Sequence, residues 1–445
     1  MKSLHGRPAA LILAAAVLFG AAGASGKRPS PWPHPIRRLQ LDNGIILLHQ
    51  KDGSSALTSL VILVNGGRRS EPEGMAGIAY LTSRLMLEMP DGRSARSLML
   101  QASPLSLSCW GDFFIIEVES LSGNFEDTLR ILSRPLQDPL FSDIRIESLK
   151  KHMSHLRRRE MDDPASLAHL LCLRSFFGSE GYGASPYGEN DSVRELRSRD
   201  LSRFYESVFR TENILLAVVS DREAEDISSV LKKHLASVRP GGPAELRPVA
   251  VSDLRETDLL EEKETLQSFL GASFLLPALS PRIFALAALA ESLLGNGAAS
   301  RLWSLRQENR LAYNVTCNFL PLREAGVLEA SLETENEKLS ETRTAFLDVL
   351  KDLSAGGVES AELEAASKIA LTEMLRRNEP KNARAWNMAA YEALGLGHDF
   401  LERIPALLSS ITVEEMNAFL AEWLDPGRAV TVTIAGTRNG ASPFP

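Results

Sequence analysis

Two stretches far apart in the chain follow one course, and that limits the possible folds more than any other feature. "DLSRFYESVFRTENILLAVVSD" (200–221) and "EMNAFLAEWLDPGRAVTVTIAGT" (415–437) each read as a helix, a turn and a strand rich in β-branched residues. An offset of 215 residues sets Phe204 on Phe419, Leu215 on Val430 and Val218 on Thr433. The pattern predicts two copies of one α/β unit of about 200 residues each. A chain of 445 residues has room for both, because a single core rarely grows beyond about 250–300 residues.

The seam between the copies is "SVRPGGPAELRPVAVSD" (237–253), rich in Pro and Gly and without apolar periodicity. The expected organisation is a leader over 1–26, a first unit over 27–236, a linker over 237–254 and a second unit over 255–445. The leader rests on Lys2 and Arg7 ahead of an apolar run from Ala9, then small residues from Ala22 to Gly26. It implies export, to the periplasm in a Gram-negative host. The run is short for a membrane span, which needs roughly 20 residues, and no later stretch qualifies.

Three cysteines, Cys109, Cys172 and Cys317, cannot build a disulfide framework; one optional Cys109–Cys172 bridge or buried free thiols are the choices left. A formal net charge of -8 argues against nucleic acid as a partner.

Within the first unit, "DNG" (42–44) signals a hairpin, "LTSLVILVNGG" a buried strand and "FFIIEVESL" a strand leading into the helix "NFEDTLRILSRPL". A helix is expected from about Ser142 to Glu160. Another restarts after Asp163 as N-cap, with Pro164 at its first position, where a missing N–H is harmless. Hairpins mixed with helices predict an α+β fold.

The helix "GMAGIAYLTSRLML" (74–87) carries a polar cluster, Tyr80, Ser83 and Arg84, where apolar residues are expected. With "DDPASLA" and "GASPYGENDSV" downstream, this order of elements resembles the insulinase or pitrilysin (inverzincin) zinc peptidases, which include the processing peptidases. In that family the equivalent helix bears H-x-x-E-H, two His for zinc and a Glu that activates its water. The resemblance sets Tyr80 and Arg84 at the two His positions and Ser83 at the Glu. None can replace the residue it stands for, because Tyr and Arg are poor zinc ligands and a serine hydroxyl is no general base. The family's distal Glu ligand falls near His155 and Leu156. The cluster therefore reads as an erased metal site that binds no metal in this chain. His152 and His155, at i, i+3 on a predicted helix with Glu160 and His169 near in sequence, are the one alternative ligand pair. A solvated face of "LKKHMSHLRRRE" is the plainer reading.

The second unit keeps more. In "LLGNGAASRLWSLRQENRLAYNVTCNF" a helix from about Pro281 ends at Gly295, a second carries Arg301 to Asn309, and "AYNVTCNF" enters a strand. The same family shows here a Gly-rich turn, "SRL" and an Arg followed seven residues later by Tyr, which the resemblance places on Arg306 and Tyr313. Those residues would donate hydrogen bonds to the substrate carbonyl and the oxyanion at a zinc held by another half. Arg310 stands where the family usually has Gly. The resemblance implies two homologous α/β-sandwich domains of the processing-peptidase type, one half of a clamshell. It implies a chain not active alone. Its partner would be a homologous, H-x-x-E-H-bearing subunit that supplies zinc, or a second copy of itself, and its substrate a peptide. The alternative is an inactive pseudopeptidase that binds peptides or builds an assembly.

Overall fold

The structure is a computed structural model that describes residues 32, 34–89, 92–249, 251, 257–295 and 297–438. The leader expected over 1–26 and part of the linker lie outside the described residues.

The first half runs β1 (Arg37–Gln40), β2 (Ile46–Lys51), β3 (Leu57–Asn65), α1 (Ile78–Leu85), α2 (Gly92–Leu100), β4 (Leu105–Cys109), β5 (Phe113–Leu121), α3 (Phe125–Gln137), α4 (Asp143–Asp162), α5 (Pro164–Phe177), α6 (Asn190–Glu195), α7 (Ser198–Val208), β6 (Ile214–Ser220) and α8 (Ala224–Leu235). Residues 239–249 then form neither helix nor strand. The second half runs β7 (Asp258–Lys263), β8 (Gln267–Leu276), α9 (Pro281–Gly295), α10 (Trp303–Gln307), β9 (Asn314–Pro321), β10 (Gly326–Glu335), α11 (Leu339–Gly356), α12 (Ser360–Arg377), α13 (Lys381–Ala393), α14 (Phe400–Ser409), α15 (Val413–Trp423) and β11 (Val430–Gly436).

The strand orders are β1-β2-β6-β3-β5-β4 and β7-β11-β8-β10-β9. Apart from β1 they are one topology, and β2 with β6 and β7 with β11 are the parallel pairs in sheets otherwise antiparallel. The repeat read from the sequence is thus a repeat of whole sheets, with β6 and β11 in matching places. The hairpin at "DNG" joins β1 to β2, and its Gly44 takes φ 93°, which L-residues rarely adopt. Asp163 caps α5 by accepting from Ser166 N at 2.8 Å, with Pro164 at the first helical position. Two helices are shorter than the sequence suggested: α1 stops at Leu85, and α10 covers 303–307 only.

Strand β3 explains why the halves cannot be separate bodies. Its side chains alternate, Leu60, Ile62 and Val64 into the first half's own core and Val61 and Leu63 to the other face. Both faces are apolar, so both must be covered. The second cover comes from the other half: Ala385, Met388 and Ala389 of α13 lie on Val61, Leu63 and Ile115. The exchange is mutual, for Leu167, Cys172 and Phe176 of α5 cover Phe269, Val327 and Val432 of the second sheet.

Two buried polar clusters lock the exchange. The Lys381 ammonium, at the start of α13, donates to the carbonyls of Asp52 and Ser55, each at 2.7 Å, and of Leu57 at 3.0 Å, while Arg384 pairs with the Asp52 carboxylate. On the far side Arg69 and Asp112, each 2% exposed, pair at 2.8 Å. Asp112 also accepts from the Tyr182 hydroxyl at 2.9 Å and from Arg323 N of the second half at 3.2 Å, and Arg69 pairs with Glu324. All three cysteines are free thiols, so the optional Cys109–Cys172 bridge is not formed. No described helix is long and apolar enough to cross a membrane.

Candidate functional site

Helix α1 begins at Gly77, whose φ of 94° turns the chain into the helix. Gly77 offers no side chain to cap its first N–H groups. Glu71 does so from six residues back, accepting from Gly77 N at 3.0 Å and Ala79 N at 3.1 Å. The entry is also clamped by the "SPYGEN" loop. A Cβ on Gly188 would meet Ala76 O at 2.3 Å, so only glycine permits this approach, and Ser192 Oγ donates to Ala76 O at 2.9 Å. The clamp sets Tyr187 edge-on against Tyr80, ring centroids 5.3 Å apart at 84°.

Glu71 is buried deeply enough that desolvation pushes its carboxyl up to about 8, against the opposing pull of the two N–H donors and of Arg68. Its folded value lies above the ordinary 4.5, so the folded chain holds this proton more tightly than the unfolded one. The stability it contributes is full below about pH 4.5 and is lost as pH rises through about 8. Glu71→Gln should therefore flatten unfolding free energy across that window relative to the parent. Urea titrations between pH 5 and 8 check this, and parallel profiles for the two proteins would contradict it.

The three cluster residues do not converge. Tyr80 is half-buried against Tyr187, Ser83 is fully buried with Oγ donating to Tyr80 O of its own helix at 3.1 Å, and Arg84 is exposed. At the expected distal position, His155 is exposed and Leu156 half-buried, and His152 is exposed one turn before. Among the described residues no group of three or more His, Cys, Asp or Glu is placed to share a metal ion.

Beside α1 opens a cleft of about 850 Å³ between the α4–α5 junction and the outer half of the second sheet. Strand β9 shows why it is polar. Val315 and Cys317 point into the second half's core, so Asn314, Thr316 and Asn318 line the cleft, joined by Glu329, Ser331 and Glu333 of β10. Helix α5 covers only the apolar part of this face. His169 of α5 reaches the Glu329 carboxylate at 2.8 Å, tying the cleft walls together across the two halves. Glu160 accepts from Arg157 at 2.8 Å and Ser185 Oγ at 2.6 Å, and its charge adds to the burial that raises the Tyr187 phenol.

Arg306 and Tyr313 line neither this cleft nor the α1 cluster. Arg306 is exposed on α10, its guanidinium 4.6 Å from the Trp303 ring centroid. Tyr313 is 51% exposed just ahead of β9, its hydroxyl donating to Glu335 at 2.8 Å. That bond raises the phenol above its ordinary range and keeps it a protonated donor. Arg310 adopts φ 55°, the left-handed turn that glycine takes without strain. Sequence reasoning missed Arg68, Tyr187 and the His169–Glu329 pair. The signal for Tyr187 was on view in "GASPYGENDSV".

Residues 196–369 match the family described as peptidase M16 inactive domain. An uncharacterized zinc protease of Mycobacterium bovis is 23% identical over 263 residues, 58% of this chain and 60% of that protein. The matched region thus spans less than two thirds of that relative's length. The zinc protease PqqE of Helicobacter pylori is 20% identical over 361 residues, 78% of this chain and 81% of its own. The crystal structure of a peptidase M16 inactive domain from Pseudomonas fluorescens superposes with a TM-score of 0.82 at 20% identity, over 91% of this chain and 98% of that one. A chain of Complex III2 from Candida albicans gives a TM-score of 0.78 at 16% identity, over 89% and 95%. At such identities the solved structures show a shared α+β fold.

Proposed function

We propose that this chain, whose residues 196–369 match the peptidase M16 inactive-domain family, is the non-zinc subunit of an exported two-chain peptidase of the M16 (insulinase/pitrilysin) type. A homologous partner bearing H-x-x-E-H supplies zinc and base, and this chain supplies Arg306 and Tyr313 as donors to the substrate carbonyl and oxyanion. The observation that carries the reading is the state of α1. The helix, its glutamate cap and its glycine clamp are intact, yet Tyr80, Ser83 and Arg84 present no pair of metal ligands. A scaffold that retains the housing of a metal site without its ligands suits a subunit whose chemistry is completed elsewhere.

The division of labour is physically reasonable. Hydrolysis needs a nucleophile at the metal and fixed donors where negative charge develops, and the two sets can sit on different chains. A guanidinium and a protonated phenol on an exposed face are donors of that kind. The test is reconstitution of the pure chain with an H-x-x-E-H-bearing homologue from the same host, followed by cleavage of a fluorogenic peptide library. Activity is expected in the mixture and not in this chain alone; full activity of the isolated chain would defeat the proposal.

One observation favours the second reading, a pseudopeptidase that binds peptides or builds an assembly. Both donors are engaged within their own chain, Tyr313 on Glu335 and Arg306 over Trp303.

A further inference from the structure

Beside the Tyr80 position lies a second cavity, of about 350 Å³, with a distinctive balance of polar groups. Arg68, Tyr80, Trp110 and Tyr187 line it from the first half, and Leu320 and Leu322 close it from the second. The Arg68 guanidinium makes no ion pair or hydrogen bond among the described residues, and its Nε is sealed from solvent without an acceptor. The Tyr80 and Tyr187 hydroxyls also have no protein partner there, and burial keeps both protonated.

The carboxylates nearby already have partners. Glu71 caps α1, Asp112 is held by Arg69, Tyr182 and Arg323, and Glu329 holds His169. Cys109 stays a thiol, its value pushed up to about 12 by burial. One fixed cation and two phenolic donors thus face a space in which the lining carboxylate, Asp112, is held by other donors. The sealed Arg68 Nε is a buried donor without an acceptor, a cost that an anion reaching the guanidinium would offset.

A planar carboxylate matches the fork of a guanidinium, and the aromatic and leucine walls call for an apolar body attached to it. The volume lies at the small end of ligand sites, roughly 300–1,000 Å³. His169, Pro186 and Tyr187 line both this cavity and the large cleft, so a peptide lying in the cleft can end in the smaller space. We propose that this cavity binds the free C-terminal carboxylate of a short peptide, with Arg68 as its fork, Tyr80 and Tyr187 as donors, and the apolar walls around the last side chain. The inference goes beyond the pairing proposed above and does not need it.

Calorimetric titration of the purified single chain tests it, with three probes: acetyl-Ala-Ala-Phe as free acid, the same peptide amidated, and phenylacetate. The free acid should bind at least about tenfold more tightly than either other probe, and Arg68→Gln should abolish its advantage over the amide. Equal affinity for acid and amide, or an advantage that survives Arg68→Gln, would overturn the assignment. Phenylacetate binding as tightly as the peptide would overturn the peptide as occupant. Should Arg68→Gln fail to fold, Tyr80→Phe keeps the ring and loses one donor. It should weaken the acid about three- to tenfold, and unchanged affinity would defeat the proposal. Because no partner subunit is present, the outcome is independent of whether two chains form a peptidase.

Discussion

Tyr313→Phe should lower the kcat of a reconstituted pair roughly 10- to 1,000-fold while leaving assembly intact, the range for losing one transition-state donor. The substitution keeps the ring and removes only the hydroxyl. That hydroxyl is bound to Glu335 in the single chain and has one proton to give. The proposed role therefore requires it to leave Glu335 for the oxyanion, and a hydroxyl that stays on Glu335 contributes nothing. Because the oxyanion forms only as water attacks, the loss should fall on kcat more than on KM. The measurement is steady-state cleavage of a fluorogenic peptide by a pair shown by gel filtration to be complete. Full activity in an intact pair would remove the catalytic role and leave the assembly scaffold as the surviving reading.

A larger effect on stability is expected at the polar cluster that joins the halves. Asp112→Ala strips Arg69 of its buried carboxylate and leaves the Tyr182 hydroxyl and Arg323 N without their acceptor. Removing one partner of a buried pair costs about 3–5 kcal/mol when the remaining charge is left uncompensated. Arg69 keeps Glu324 and the Arg247 carbonyl, so a loss of about 2–3 kcal/mol is expected here. Replacing both Arg69 and Asp112 by apolar residues of similar volume should recover part of that loss, since the burial penalty of the charges disappears with them while the Tyr182 hydroxyl and Arg323 N still lack their acceptor. Urea unfolding of the single and double variants reads both effects. A loss below about 1 kcal/mol for Asp112→Ala would mean that the cluster is solvated and does not lock the halves.

Local features were legible because they are encoded within a few residues. Asp163 and Pro164 mark the start of α5, Asn43 and Gly44 the first hairpin, and Pro281 and Gly295 the bounds of α9, each through backbone chemistry that acts over one turn. The repeat was legible because the offset matched two helix-to-strand units that occupy equivalent places in the two sheets. The exchange of α5 and α13 between halves was not. Periodicity says that a helix has an apolar surface but not which sheet it covers, and α5 is apolar around much of its circumference. The Arg69–Asp112 pair lies 43 residues apart, beyond any local pattern. The resemblance sets Tyr80, Ser83 and Arg84 on a metal motif, but nothing in the sequence says that they diverge in space: Ser83 turns back to its own helix while Arg84 faces solvent. Arg68 was passed over as one arginine in "GGRRS", since nothing in the sequence says which of two neighbouring arginines finds a carboxylate.

The most direct test is the zinc content of the pure chain and of the co-purified pair after exhaustive dialysis. The isolated chain should hold far less than one zinc, and the pair should hold one, lost when the partner's H-x-x-E-H is mutated and unaffected by His152→Ala or His155→Ala in this chain. Stoichiometric zinc on the isolated chain would contradict the erased site and return His152 and His155 to candidacy as ligands.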